Sequence, residues 1–138
     1  MAASGVFPID HELQMDSDFH FVPMNDVLFD LQRKIILDAA EKEDCVIVGR
    51  CANHILDNKC LSVFIHAPFE YRVQTVIERT GREEKSAQKL VKKVDKERRT
   101  YYEYFTDKKW KDISQYHLAF DSSKFEQDKI IQMIKMAL

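Results

Sequence analysis

Glycine, proline and cysteine are scarce in this sequence of 138 residues, which contains three of each. Long hydrophobic runs are missing too: the apolar stretches extend over only a few residues, whereas a membrane-spanning helix needs about 20. The first residues carry neither a basic flank nor a long apolar stretch, so no signal peptide is predicted. We therefore expect a cytoplasmic protein that makes no membrane contact.

The few cysteines argue against two kinds of site. Cys45, Cys51 and Cys60 are odd in number and irregularly spaced, without a Cys-x-x-Cys pair, which disfavours a disulfide framework and a zinc site. The histidines are isolated from acidic and nucleophilic partners in the sequence, so we expect neither a catalytic nor a ligand role for them. No metal site is predicted.

The remaining composition is typical of a globular protein with one domain, since 45% of the residues are hydrophobic and 32% are charged. The charge is unevenly distributed. Residues 68–111 contain 13 Lys and Arg against 8 Asp and Glu, although the whole chain has a net charge of −2. A basic middle in an acidic chain favours a local anion site, and we expect no nucleic-acid partner. One alternative is a solvated helix with mixed charges. Another is that the basic helix contacts RNA, against which its acidic surroundings weigh.

Hydrophobic periodicity divides the chain into two parts. Residues 1–20 show no sustained period and are predicted to be irregular, whereas 21–138 are predicted to form one α/β domain with a basic helical lid over about 81–112. The predicted elements are a helix at 25–42 capped by Asn25, strands at 45–48, 61–66 and 116–120, helices at 51–57, 68–80 and 83–105, and a last helix that starts at a Ser123–Glu126 capping box.

Strands that alternate with helices indicate a mostly parallel sheet flanked by helices on both faces, a three-layer α/β architecture. The run Cys45–Val48 lacks alternation, so this strand is predicted to be buried on both faces. Ligands of parallel sheets bind beyond the carboxyl ends of the strands. This rule places Gly49-Arg50, Ala67-Pro68 and Asp121-Ser122-Ser123 around one rim of the predicted sheet.

The first candidate site is Gly49-Arg50, directly after a predicted buried strand. A glycine at this point lets a ligand approach the backbone closely, and the planar fork of an arginine suits bidentate contact with phosphate. The alternative is that Arg50 pairs with a surface carboxylate.

The second candidate is the basic stretch from Lys92 to Tyr102. On a helix, Asp95 can face Arg98 or Arg99 at three- and four-residue spacing, and such a pair would hold a guanidinium ready for a phosphoryl group. Phosphoryl transfer needs positioning and charge neutralisation, which clustered Arg and Lys provide. The alternative is a solvated amphipathic helix with its tyrosines in the core or an interface.

Five runs also carry a likeness to a known family: Cys-Val-Ile-Val-Gly-Arg-Cys-Ala at 45–52, Val-Phe-Ile-His-Ala-Pro-Phe-Glu-Tyr-Arg at 63–72, Lys-Lys-Val-Asp-Lys-Glu-Arg-Arg-Thr-Tyr-Tyr at 92–102, Lys-Lys-Trp at 108–110 and Tyr-His-Leu-Ala-Phe-Asp-Ser-Ser at 116–123. In this order and spacing they resemble the cytidylate-kinase-like family of bacterial P-loop kinases, over about residues 22–125.

The resemblance implies a nucleoside-monophosphate kinase that transfers the γ-phosphoryl group of ATP, with magnesium, to CMP or a similar acceptor. It implies that Lys93, Arg98 and Arg99 are catalytic residues in a mobile lid over the donor phosphates. It also implies that Gly49-Arg50 lies at the monophosphate site and that Arg72 and Arg79 lie on the helix after the strand at 61–66. The acceptor would be bound by Gly49, Arg50, Asn53, Arg72 and Arg79.

Departures from the family pattern bear on activity. Nothing close to the phosphate-binding loop Gly-x-x-x-x-Gly-Lys-Ser/Thr occurs, so ATP-binding residues are unknown and little or no turnover is expected from these residues alone. Asn53 stands where the family has aspartate, and Asp107 stands where glycine is usual before Lys108. A faint likeness of residues 5–13 to the segment after the family's first helix leads us to expect that the loop is encoded upstream of Met1.

A second function stays open from the sequence: a kinase fold without catalysis that acts as a binding or scaffolding protein through a homodimer or a protein partner. An absent central strand would leave an unpaired sheet edge that invites self-association. Aromatic side chains near the end of the basic stretch also favour an interface, namely Tyr101, Tyr102, Tyr104, Phe105 and Trp110.

Overall fold

The computed structural model describes residues 3–5 and 22–138, with side chains described from Asp26 onward. The chain divides into two compact units, an N-terminal unit of Met1–Cys60 and a C-terminal unit of Leu61–Leu138. Each unit is described by itself below. The domain boundary predicted near residue 20 and the lid predicted over about 81–112 stay predictions.

The N-terminal unit is built on a parallel pair of short strands. Its elements among the described residues are β1 (Ala3–Gly5), α1 (Val22–Lys42), β2 (Cys45–Ile47), α2 (Ala52–Leu56) and a 3-10 turn at Asp57–Lys59. Ala3 pairs with Cys45 and Gly5 pairs with Ile47. The irregular structure predicted for residues 1–20 is therefore wrong for Ala3–Gly5. Backbone pairing with β2 holds these residues in a strand, although the sequence Ala-Ser-Gly has no strand pattern of its own. The rest of 1–20 lies outside the described residues.

The long helix α1 begins earlier than predicted. It starts at Val22 and not after Asn25, because Pro23 lies in the first turn, where the missing N–H of proline leaves no helical hydrogen bond unmade. Ile36 is 1% exposed and packs with Ala52 and Leu56 of α2 to form the core of this unit. Other members of the predicted apolar stripe, such as Val27 and Leu31, are about half exposed.

The prediction that the strand at 45–48 is buried on both faces is wrong. Val46 is 58% exposed and Val48 is 61% exposed. The parallel pairing inferred from this run is present, but among the described residues β2 has one partner strand, β1, and not the several strands of a large doubly wound sheet whose faces are covered by helices.

The C-terminal unit contains a second parallel strand pair and three helices. Its elements are β3 (Val63–His66), α3 (Phe69–Thr80), α4 (Glu84–Thr106), a 3-10 turn at Ile113–Gln115, β4 (Leu118–Asp121) and α5 (Gln127–Ala137). Val63 pairs with Leu118 and His66 pairs with Asp121. Mixed α/β structure with small parallel sheets is therefore confirmed.

The helices α3 and α4 form an antiparallel hairpin with its own core. Val73, Ala87 and Val91 are buried together, and Phe69, Val76 and Ile77 pack against them, as the apolar spacing of both helices predicts. Gly81 ends α3 with a φ of 71°, and its N–H donates to the Ile77 carbonyl at 2.8 Å. A left-handed residue at this position favours glycine.

The predicted capping box before the last helix is wrong. α5 begins at Gln127 with Glu126 as its N-cap and without a side-chain cap. The Ser123 hydroxyl and backbone N–H instead donate to Asp121 Oδ1, at 2.6 and 2.9 Å. The Asp121 carboxylate, two residues earlier, is a charged acceptor for both Ser123 donors. The serine therefore closes a turn at the end of β4 and does not cap the helix.

No helix among the described residues is long and apolar enough to cross a membrane.

Candidate functional site

The carboxyl ends of β3 and β4 meet at one edge of the C-terminal unit. Parallel register brings His66 beside Asp121, and the Ser122 N–H donates to the His66 carbonyl at 2.9 Å. The segments Ala67-Pro68 and Asp121-Ser122-Ser123 therefore follow neighbouring strand ends, as the sequence predicts for the edge where ligands of parallel sheets bind.

Arg72, one of the predicted substrate-binding residues, is fixed at this edge by two contacts. Its Nε donates to the Ala67 carbonyl at 3.0 Å, directly after β3. Its Nη1 lies 2.8 Å from both carboxylate oxygens of Asp95 on α4. The two side chains are 32% and 23% exposed, so the guanidinium is held between the strand end and the second helix of the hairpin, with one side open to solvent.

The partner of Asp95 differs from the prediction. The sequence suggested Arg98 or Arg99 on the same helix, but Asp95 pairs with Arg72 on α3. The reason is the hairpin core: Asp95 lies one turn after buried Val91, so the helix turns its carboxylate toward α3. Arg72 directly precedes the core residue Val73, and Asp95 follows the core residue Val91 by one turn. Both side chains are therefore expected beside the contact between the two helices, which is the signal in the sequence that predicts this pair.

The anchored guanidinium keeps a free edge. Within the part of the chain that the structure describes, Nη2 of Arg72 has no hydrogen-bond acceptor. A planar guanidinium fixed at Nε and Nη1 presents its last two N–H donors in a set direction, which suits an incoming oxyanion. Asp95 balances its charge, so directionality rather than excess positive charge is what this arginine offers.

The three residues that the resemblance assigns to catalysis lie on α4. Lys93, Arg98 and Arg99 are all exposed, and none of them makes an ion pair or hydrogen bond with another described residue. Arg98 follows Asp95 by three residues, so it lies on the same face about one turn further along. Lys93 lies on a different face. Arg98 therefore shares the side of α4 that carries Asp95, the partner of Arg72.

Arg79 is exposed near the end of α3, seven residues after Arg72. Seven helical residues span about 10 Å, so the structure does not bring these two predicted binding residues together on the hairpin.

The Gly49 turn of the N-terminal unit has an unusual backbone. Gly49, Arg50 and Cys51 have φ values of 75°, 57° and 58°, three left-handed residues in succession after β2. Arg and Cys adopt this region at a steric cost, and such strain is concentrated at functional sites. Arg50 is buried and Asn53 is half-buried in α2. Nothing in the local sequence indicates these two non-glycine conformations.

A Cβ added at Gly49 would meet nothing within 4 Å. Its φ, and not a lack of space, is therefore what requires glycine. The predicted convergence of Gly49, Arg50 and Asn53 with the α4 cations stays a prediction.

Hydrogen bonding and burial shift the pKa values of three groups near these sites. Hydrogen bonds from Ser123 hold the pKa of Asp121 below its usual range, so this carboxylate stays charged at the sheet edge. Burial raises the pKa of Cys51 to about 12 and also raises that of Cys60. Both groups are therefore protonated thiols at neutral pH, in agreement with structural roles.

The described residues contain no group of three or more His, Cys, Asp or Glu that could hold a metal ion. They also contain no glycine-rich loop that leads into a long helix. The described residues therefore do not supply the metal ligands or the phosphate-binding loop with which a nucleotide kinase holds magnesium and ATP.

Parallel strand pairs, intervening helices and an arginine fixed beyond a strand end define an α/β protein of the kind that binds ligands at the carboxyl edge of its sheets. A model of the cytidylate kinase-like family matches residues 9–124. The chain belongs to that family.

Individual relatives agree with this assignment. Cytidylate kinases of Methanococcoides burtonii and Pyrococcus furiosus are each 30% identical, over 84% and 74% of this chain. The chain spans 65% and 53% of their lengths. A crystal structure of an uncharacterized protein from Eubacterium ventriosum has a TM-score of 0.76 and 33% identity, and the likeness covers 82% of this chain and 73% of that one.

Proposed function

We propose that this chain contributes to a cytidylate-kinase-like phosphotransferase that moves a phosphoryl group from ATP to a nucleoside monophosphate such as CMP. A three-layer P-loop-kinase fold, magnesium dependence and a cytoplasmic location belong to the same proposal. Family membership over residues 9–124 supports the reaction class. The curated relatives are cytidylate kinases, which favours a pyrimidine acceptor.

One observation supports the assignment of an acceptor site to this edge. The Arg72 guanidinium is fixed by hydrogen bonds to the Ala67 carbonyl and to Asp95 at the carboxyl edge of β3 and β4. A fixed donor pair binds an oxyanion without first losing side-chain freedom, which lowers the cost of binding. In this role Arg72 orients the acceptor phosphate.

The other residues have complementary roles in the proposal. Lys93, Arg98 and Arg99 neutralise the transferred phosphate from exposed positions on α4. Gly49, Arg50, Asn53 and Arg79 contact the acceptor. The 138 residues contain no phosphate-binding loop, so we expect them to bind a nucleoside monophosphate and to turn over little ATP by themselves.

Calorimetric titration of the chain with CMP, UMP, AMP and GMP tests the acceptor site. We expect saturable binding that is strongest for a pyrimidine nucleotide and is lost in Arg72→Ala. The matched control is Arg33→Ala, which removes an exposed arginine from α1 and should bind as the parent does. Failure of all four nucleotides to bind would remove the acceptor site.

Exposed apolar side chains favour a second candidate function, that of a scaffolding protein that acts through a homodimer or a protein partner. Val46 and Val48 on and after β2 are more than half exposed, and Tyr104 on α4 is 53% exposed. Light scattering after size exclusion separates the candidates: a strict monomer that binds nucleotide disfavours scaffolding through a homodimer.

A further inference from the structure

The helix α4 carries charge of one sign along the face opposite its buried one. Ala87 and Val91 pack against Val73 of α3 and define the buried face. The opposite face carries five exposed cations, spaced alternately by four and three residues, that we call the basic ridge: Lys85, Lys89, Lys92, Lys96 and Arg99.

The basic ridge is not neutralised by neighbouring acids. Two acidic residues occur between Lys85 and Arg99: Asp95 is paired with Arg72 of α3, and Glu97 is half-buried on another face. Within 22–138, none of the five ridge cations forms an ion pair. Lys92 also lies over the Phe69 ring, with its ammonium 5.6 Å from the ring centroid.

This arrangement disfavours the isolated helix. Like charges at three- and four-residue spacing repel, whereas opposite charges at the same spacing attract. The other long helix follows the second pattern, since Lys42 of α1 pairs with Asp38 at 2.8 Å. Repulsion along the basic ridge would be relieved by an anion that covers its whole length.

The length of the basic ridge indicates a polymer. Lys85 and Arg99 are separated by 14 residues, which corresponds to about 21 Å along the helix axis. Each strand of a duplex places one phosphate about every 3.4 Å of helix axis, so about six phosphates of one duplex strand match this distance. A mononucleotide carries too few phosphates to cover it.

The kind of cation favours phosphate over the carboxylates of a protein. Four of the five ridge residues are lysines. Lysine is depleted in protein interfaces, where arginine is enriched, but it serves well as a point charge for phosphate. The ridge contains no aromatic or apolar residue, so it offers neither base stacking nor insertion into a membrane.

We propose that the basic ridge binds the phosphodiester backbone of nucleic acid without base specificity. The contrary expectation from the sequence depended on the acidic surroundings of the basic stretch. The structure separates the two, because Asp95 turns toward α3 and leaves no acid on the ridge face between Lys85 and Arg99. The next acid along that face, Glu103, pairs with Lys109 and accepts from the Trp110 N–H. This inference does not depend on the proposed kinase function.

Fluorescence anisotropy with a labelled single-stranded RNA of mixed sequence tests the proposal. Five phosphate contacts predict a log–log salt slope of about −3.5, hence about 100-fold weaker binding at 200 mM than at 50 mM salt. The triple variant Lys85→Gln, Lys89→Gln, Lys96→Gln should reduce the slope to about −1.4. The control triple Lys59→Gln, Lys129→Gln, Lys135→Gln has the same net charge and should keep the parent slope.

Parallel arms identify the ligand. Single-stranded DNA should bind as RNA does, and a duplex should give a steeper salt slope. The variant Lys85→Arg, Lys89→Arg, Lys96→Arg keeps the three charges and should retain binding. Absence of binding at 50 mM salt, equal loss in the ridge and control triples, or competition by polyglutamate as strong as by RNA at equal charge would each overturn the proposal. Comparison of the single Gln variants keeps the test valid if a triple variant fails to fold.

Discussion

The two arginines that follow strands are held in place by different means. Arg72 lies in ordinary helical backbone, and its side chain is fixed by the Ala67 carbonyl and Asp95. Arg50 lies in a left-handed turn between Gly49 and Cys51, a backbone conformation that it adopts at a steric cost. Substitution of Arg72 or Asp95 removes the contacts that fix the first arginine, whereas substitution of Gly49 tests the backbone of the turn that carries the second. This difference determines which changes should affect each site.

The largest effect is expected when the side-chain anchor is removed. Arg72→Ala should cost about 2 kcal/mol of the free energy of unfolding, because it leaves a half-buried carboxylate and the Ala67 carbonyl without their donor. Solvent exposure of both partners keeps the figure below that of a fully buried pair. Urea unfolding measures it.

A double-mutant cycle with Asp95→Asn serves as the control for that measurement. The two substitutions should be non-additive because the residues are in contact. Additive effects would show that the pair contributes nothing to the fixation of Arg72.

The backbone-defined turn should respond to Gly49→Ala. The added methyl group meets open space, so only the φ of 75° opposes it, and we expect a loss of about 1–2 kcal/mol. Thermal unfolding checks this value. An unchanged midpoint would mean that the turn is not held in the left-handed region.

The ends of α3 and α4 offer a matched test of the same backbone effect. Gly81 and Asp107 both occupy left-handed C-cap positions, with φ of 71° and 55°. Gly81→Ala should destabilise the protein by about 1 kcal/mol, and Asp107→Gly should stabilise it by a similar amount. Changes of the same sign in both variants would contradict this account.

The smallest effect concerns the charge at the sheet edge. The folded-state pKa of Asp121 is lowered chiefly by the Ser123 hydroxyl, so its stabilisation is present above the unfolded pKa of about 3.9 and is lost as pH falls through the folded value. Ser123→Ala should move the pKa back toward its usual range, as followed by carboxyl NMR.

Asp112 provides the comparison for Asp121. A backbone N–H of Ser114 is the largest cause of its lowered pKa. Ser114→Ala should therefore shift Asp112 less than Ser123→Ala shifts Asp121. An equal response would show that the hydroxyl of Ser123 has no special role.

The sequence predicts the α3–α4 hairpin well because its order is local. The apolar spacing around Val73 and Val91, together with Gly81, specifies two helices and the turn between them. The family resemblance also pointed to Arg72. Its partner Asp95 could not be predicted in the same way, because three- and four-residue spacing indicates pairs within one helix and this pair joins two helices.

Non-local features were predicted less well. The pairing of Ala3–Gly5 with Cys45–Ile47 depends on a distant backbone, and Ala-Ser-Gly has no strand pattern of its own. The left-handed Arg50 and Cys51 conformations are imposed by the fold against their local preference. The unusual Asp107 noted in the sequence, by contrast, coincides with a left-handed C-cap where glycine would be unstrained.

The most direct test of the account is the NMR signal of the Arg72 Nε–Hε group during a CMP titration. We predict a saturable shift whose dissociation constant equals the calorimetric one and which disappears in Asp95→Asn. Saturable CMP binding that leaves the Arg72 signal unchanged would contradict the assignment of the acceptor phosphate to this arginine.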